Sequence, residues 1–246
     1  MYRLGIDIGS TYTKYCLLEE NDGNMRLFSE KTPIHQKECF EKILCKLKNE
    51  YDIRTISSCG YGKKNVFSMK TISEIVALAE GINYANPELR TVLDIGGQDT
   101  KVVSQKSGKV SEFFLNDRCA AGSGMFLYNT LNLLQIRFED IDLTNVYEPV
   151  VRISSICAVF AQTEIVQMIA NNVESEQIII AVLWSIFKQA KAVLNKVNDK
   201  CICLSGGLAK IKGISTFASS VLDRDIMILP ESNYLAAIGC SVCELT

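Results

Sequence analysis

The chain has 246 residues, 48% of them hydrophobic, enough to bury one large core or two compact ones, and its 26 Lys and Arg against 28 Asp and Glu leave a net charge of −2. The basic residues are scattered, so no field for nucleic acid forms, and no apolar run reaches the roughly 18 residues of a membrane span. Met1-Tyr2-Arg3 opens without a signal-peptide pattern and ten cysteines follow, so the expectation is a cytoplasmic protein with thiols rather than a disulfide framework, bound to neither nucleic acid nor membrane.

In chain order, residues 2–8 read as a strand, 13–18 as its hairpin partner, and 25–30 as a third strand beyond the Asn21-Asp22-Gly23-Asn24 turn. His35, the single histidine, falls in a polar stretch and reads as a surface residue. Residues 39–51 follow a helical pattern with Phe40, Ile43, Leu44 and Leu47 on one face. A short strand over 53–58 leads to Gly60-Tyr61-Gly62, and 73–82 reads as a helix. The second half repeats the theme: a strand over 91–95, a hairpin through 101–103 and 109–115, then helices over 122–134, 160–171 and 176–195. A strand over 201–204 and a closing helix over 233–244 complete the plan. The met residues and Trp184 fit helix faces and are expected in the core.

One phrase recurs. Leu4-Gly5-Ile6-Asp7-Ile8-Gly9-Ser10-Thr11 and Val92-Leu93-Asp94-Ile95-Gly96-Gly97-Gln98-Asp99 both end an apolar run in Asp-Ile-Gly. A buried strand that stops at an acidic residue and turns on glycine brings a carboxylate and bare N–H groups to one point, which suits a phosphate with its Mg²⁺. Asp and Gly are also ordinary turn residues, so one copy alone says little. A third glycine turn, Ser205-Gly206-Gly207-Leu208, also follows a strand. The first loop would use Gly9, Ser10, Thr11 and Lys14; the second would use Gly96 and Gly97 and set Gln98 and Asp99 near the γ-phosphate; Gly206 and Gly207 would lie against adenosine. Asp7, Asp94, Gln98 and Asp99 are the candidate catalytic residues.

This order of loops resembles the actin-like ATPase fold shared by actin, sugar kinases and the Hsp70 chaperones. The resemblance implies a duplicated α/β architecture of two lobes with a nucleotide cleft between them: lobe I over 1–88, with the closing helix 233–246 packed back on it, and lobe II over 89–232.

Two cysteines open helices in small-residue turns: Cys119 in Asn116-Asp117-Arg118-Cys119-Ala120-Ala121-Gly122-Ser123-Gly124, and Cys157 in Ser154-Ser155-Ile156-Cys157-Ala158-Val159-Phe160-Ala161-Gln162-Thr163-Glu164. A helix N-terminus lowers a thiol pKa and favours an anionic cluster. A packed structural cysteine fits the same residues. Cys240 and Cys243, and Cys201 and Cys203, lack zinc-site partners and read as packing; Cys16, Cys39 and Cys45 carry no motif, while Cys59 borders the Gly-Tyr-Gly turn and could lie near the nucleotide.

These motifs, together with Asp94-Ile95-Gly96-Gly97-Gln98-Asp99, Cys59-Gly60-Tyr61-Gly62 and Ser73-Glu74, resemble the activators of 2-hydroxyacyl-CoA dehydratases, in the family that includes the benzoyl-CoA reductase ATPase subunits. The resemblance spans nearly the whole chain. It implies ATP with Mg²⁺, and a [4Fe-4S] cluster held by Cys119 and Cys157. A cluster of this kind takes four thiolates and each chain offers two, so one cluster per homodimer is expected. The implied activity is ATP-gated, one-electron transfer to a partner iron–sulfur dehydratase or reductase, with ferredoxin or flavodoxin as electron donor. The family motifs also bring Gly122, Ser123, Gly124, Glu164 and Gly239 into the cofactor-binding set. Lys210-Ile211 departs from the family, which often has a polar residue such as Asn there to meet adenine. The rival readings are a phosphotransferase of the same fold with Asp117 as general base, and an actin-like filament or chaperone ATPase.

Overall fold

The computed structural model describes residues 1–116, 120–146, 148–154 and 157–243. Strands β1 (Tyr2–Ile8), β2 (Tyr12–Glu19), β3 (Met25–Lys31), β4 (Ile53–Gly60) and β5 (Lys70–Thr71) form a sheet in the order β3-β2-β1-β4-β5. The β1/β2 and β2/β3 pairs are antiparallel and β1/β4 and β4/β5 are parallel. A second sheet holds β6 (Thr91–Ile95), β7 (Thr100–Lys106), β8 (Lys109–Asn116), β9 (Cys201–Gly206) and β10 (Asp225–Met227), in the order β10-β9-β6-β7-β8. Counted within each half, both sheets read third, second, first, fourth, fifth. The repeated phrase therefore closes the central strand of each sheet, β1 and β6.

Contacts divide the chain into two compact units. The first comprises Met1–Val92, Val103–Phe113 and the segment from Glu231 onward; the second comprises Leu93–Val102 and Phe114–Pro230.

In the first unit the central strand is covered on both sides, which is why Leu4 to Ile8 are all buried and do not alternate. Leu4, Ile6 and Ile8 pack with Tyr15, Leu17 and with Phe40, Leu44 and Leu47 of α1 (Gln36–Glu50). Cys16 and Leu18 meet Ala237 and Ile238 of α7 (Leu235–Val242). That helix also crosses α2 (Glu74–Ala85), which starts at Ser73, whose hydroxyl caps the Val76 N–H. The two helices touch backbone to backbone: a Cβ on Gly81 would lie 1.9 Å from the Leu235 carbonyl oxygen and one on Gly239 would lie 1.7 Å from that of Ala77. Neither contact tolerates a side chain.

The second unit is built around α5 (Ser175–Leu194), of which eleven residues are buried. Its 20 residues and mean hydropathy of 1.4 meet the length and composition of a membrane span, a feature the sequence reading overlooked, but 61% of that stretch is buried within the protein. Around it pack α3 (Gly124–Leu134), α4 (Ala158–Ala170) and α6 (Ile214–Leu222). The sequence reading has no counterpart for α6, β10 or β5. The nine residues of α6 are cut off by Gly213 and Asp223, both left-handed, which leaves too short a window for helical periodicity to register. Trp184 is only partly buried, its ring under the Arg152 guanidinium at 5.3 Å, and His35 is exposed as expected.

Candidate functional site: two Asp-Ile-Gly loops and an exposed thiol

Strand register positions the first loop's chemistry. Asp7 of β1 pairs with Lys14 across the hairpin and with Cys59 on the parallel side. Lys14 Nζ lies 3.6 Å from Asp7 Oδ2, and the Cys59 thiol donates to Asp7 Oδ1 at 3.7 Å. That thiol is fully buried. Its hydrogen bond with Cys240, then burial, then the nearby negative charges hold its pKa well above the usual thiol value, so it stays a neutral donor. Beyond Asp7 the chain turns through Gly9, whose N–H donates to the Tyr12 carbonyl at 3.2 Å and whose carbonyl accepts from the Thr32 hydroxyl at 2.7 Å. A Cβ on Gly9 would stand 2.8 Å from the Tyr12 oxygen. Ser10 is exposed and Thr11 half-buried at the mouth of the turn, with their hydroxyls 3.5 Å apart.

The second loop repeats the construction. Gly96 N–H donates to the Asp99 carbonyl at 2.9 Å, the counterpart of Gly9 to Tyr12. Lys101 Nζ lies 3.8 Å from Asp94 Oδ2, and 2.5 Å from Asp99 Oδ1. The spacing from the strand-terminal Asp to its Lys is seven residues in both loops, 7 to 14 and 94 to 101. Sequence reasoning found Lys14 and missed Lys101, although this equal spacing was the signal. Asp99 is buried against Lys101, while Gln98 beside it is exposed.

Gly122, Ser123 and Gly124 come together with this loop. The N–H groups of Gly124 and Met125, the first two of α3, donate to the carbonyls of Gly96 and Gly97 at 2.8 and 3.0 Å, and Thr100 Oγ1 donates to the Gly122 carbonyl at 2.6 Å. The helix thus begins two residues later than the sequence reading has it, and spends its leading donors on the loop. In the third turn Gly206 has φ +92°, and a Cβ there would meet the Ile95 carbonyl oxygen at 2.1 Å, so β9 runs into the end of β6; Gly207 next to it opens onto empty space. At the family departure, Lys210 is exposed and Ile211 buried in the core. Gly239 lies in the α2 contact, where a packing role accounts for it.

Cys119 and Asp117 lie outside the described residues. Cys157 is described: it is the exposed N-cap residue of α4, its side chain makes no capping bond, and its carbonyl accepts from Ala161 N–H at 2.9 Å. Val159 and Phe160, in the first turn beside it, are 71% and 67% exposed. Glu164 accepts from both the N–H and the hydroxyl of Ser154, at 2.8 and 2.9 Å, and so ties Ser154 to α4. Among the other described cysteines, Cys16, Cys203 and Cys240 are buried as packing residues, Cys39, Cys201 and Cys243 are half-buried, and Cys45 is exposed. Cys59 does more than fill space, since it touches Asp7.

Paired Asp-Ile-Gly loops on a twice-used strand order define an actin-like ATPase fold. The chain belongs to the BadF/BadG/BcrA/BcrD ATPase family, whose model matches residues 4–243. It is 36% identical to the protein MJ0004 of Methanocaldococcus jannaschii, over 96% of this chain and 98% of that one. It is 32% identical to the activator of lactoyl-CoA dehydratase of Anaerotignum propionicum, over 98% and 96%. Among solved structures, the activator of the 2-hydroxyisocaproyl-CoA dehydratase from Clostridium difficile, with bound ADPNP, superposes with a TM-score of 0.86 at 29% identity, covering 98% of this chain and 93% of that one.

Proposed function

We propose that this chain is an ATP-dependent activator that delivers single electrons to a partner iron–sulfur enzyme of the 2-hydroxyacyl-CoA dehydratase or related reductase class. The observation that carries the reading is Cys157: a thiol exposed at a helix N-terminus, making no capping bond, and set beside exposed Val159 and Phe160. A thiol kept only for packing would be buried, as Cys203 and Cys240 are. Exposure at the start of α4 leaves the sulfur within reach of an iron atom, as a ligand must be. The donor set fits a [4Fe-4S] cluster if Cys119 and Cys157 of two copies combine, and the apolar first turn of α4 would then exclude water around it. When bound, such a cluster supplies a one-electron carrier.

The loops fit ATP with Mg²⁺. Asp7 and Asp94 are buried carboxylates at strand ends, each followed by a glycine turn too tight for a side chain to enter without displacing its neighbours, and Ser10 and Gln98 are exposed at the turns, with Thr11 half-buried. In this reading Lys14 and the Ser10 and Thr11 groups hold phosphate oxygens, Asp7 and Asp94 orient the hydrated cation, Gln98 stands at the γ-phosphate while Asp99 is turned to Lys101, and Gly206 and Gly207 admit the nucleoside. The relatives named as dehydratase activators, one of them with ADPNP bound, support it. Ferredoxin or flavodoxin as donor and a cytoplasmic setting complete the proposal.

The test is anaerobic purification with iron analysis. A brown protein with about two iron atoms per chain, whose colour and iron vanish in Cys157→Ser, is the expected result. A colourless, iron-free protein that binds ADPNP would overturn the electron-transfer reading.

A further inference from the structure

We infer that Lys101 is a positioning residue that assigns the divalent cation accompanying ATP to Asp94, by keeping Asp99 engaged. The inference rests on the reading that the loops bind ATP with Mg²⁺. Two carboxylates and one ammonium are buried together in the second unit: Asp94, Asp99 and Lys101 are 6%, 7% and 4% exposed. The ammonium sits 2.5 Å from Asp99 Oδ1 but 3.8 Å from Asp94 Oδ2. The first distance is a charge-assisted hydrogen bond; the second is an ion pair without one. Asp99 is therefore closely countered and Asp94 much less so.

Formal charges sharpen the difference. Asp94, Asp99 and Lys101 sum to −1, whereas Asp7 and Lys14, 3.6 Å apart, sum to zero. The second loop sets two carboxylates against one ammonium. Both of its carboxylates flank the same glycine: a Cβ on Gly96 would lie 3.0 Å from Asp99 Oδ1 and 3.9 Å from Asp94 Oδ2. A hard cation brought there by a phosphate takes the carboxylate that is not already hydrogen-bonded to an ammonium, which is Asp94.

The test is calorimetric titration of ADPNP at a series of Mg²⁺ concentrations, which gives the Mg²⁺ midpoint for nucleotide binding. Lys101→Met leaves −2 in the cluster and lowers the midpoint by about tenfold; Asp99→Asn leaves zero and raises it by about tenfold. The double variant Lys101→Met/Asp99→Asn returns the cluster to −1, and its midpoint returns to that of the unsubstituted protein. A lysine with a merely structural role predicts no such ordering. Should Lys101→Met fail to fold, Asp99→Asn and the double variant still carry the comparison. Equal midpoints in Asp99→Asn and the unsubstituted protein, or a double variant displaced from it tenfold, overturn the inference while leaving nucleotide binding standing. Failure of the unsubstituted protein to bind ADPNP at any Mg²⁺ concentration overturns the proposed function and the inference with it.

Discussion

Lys101 stands to Asp94 as Lys14 stands to Asp7, seven residues on and across a hairpin, with Nζ to carboxylate distances of 3.8 and 3.6 Å. Each half of the protein thus sets, one residue before the end of its central strand, a carboxylate held by an ammonium from the neighbouring strand. Removing either lysine strands a buried negative charge beside the glycine turn. Lys14→Met is expected to weaken ADPNP binding at saturating Mg²⁺ by tenfold or more, read by calorimetry, and to lower folding stability by about 1–3 kcal/mol in urea denaturation.

The α2–α7 crossing is the most demanding packing contact in the first unit. Gly239→Ala forces a methyl into a space whose far wall, the Ala77 carbonyl oxygen, is 1.7 Å away. Overpacking of this kind costs about 3 kcal/mol or more when the obstacle is backbone. Thermal unfolding of Gly239→Ala should show a drop in Tm of at least 8 °C, while Gly207→Ala, which meets nothing within 4 Å, should unfold as the unsubstituted protein does.

Cys157 is exposed and its side chain makes no capping bond, so its loss should not disturb the fold. Cys157→Ser is expected to keep the circular dichroism and Tm of the unsubstituted protein under anaerobic, iron-free conditions, within about 0.5 kcal/mol. The same substitution at exposed Cys45 should leave both iron content and stability unchanged, which separates a ligand from a surface thiol.

Alkaline pH should unfold the first unit through its buried thiols. Burial pushes Cys16 up to about 11, from an ordinary thiol value of 9.0, with the neighbouring Cys240 adding to the rise. Cys59 is raised further by its bond to Cys240 and by burial. The folded state therefore holds these protons more tightly than the unfolded chain. Their stabilising contribution is complete below pH 9 and is lost as pH climbs from 9 toward 11 and beyond. Urea midpoints measured from pH 8 to 11 should fall across that window, and Cys16→Ala should fall less steeply, by about 2 kcal/mol over the range.

Much of this was legible in the chain. The central strands β1 and β6 announce themselves as unbroken apolar runs ending in Asp-Ile-Gly, and Thr91 to Ile95 has the bounds read from sequence. Ser73 reads as a helix start because its hydroxyl reaches the Val76 N–H. What stayed hidden depends on distant partners. Gly239 fits a family motif, yet its spatial reason is Ala77, on another helix. Cys59 carries no motif that names Asp7, because only the parallel register of β4 on β1 makes them neighbours. Glu164 sits in a recognisable stretch, but its bonds to Ser154 follow from how the chain enters α4.

That entry has a mechanical meaning. With Ser154 fastened twice to Glu164, and the Cys157 carbonyl receiving the Ala161 N–H, the thiol is a fixture of the helix rather than of a loop. A spin label or fluorophore on Cys157 would therefore report the tilt of the α4 axis, and freeing it by Glu164→Ala would convert a rigid pointer into a loose one.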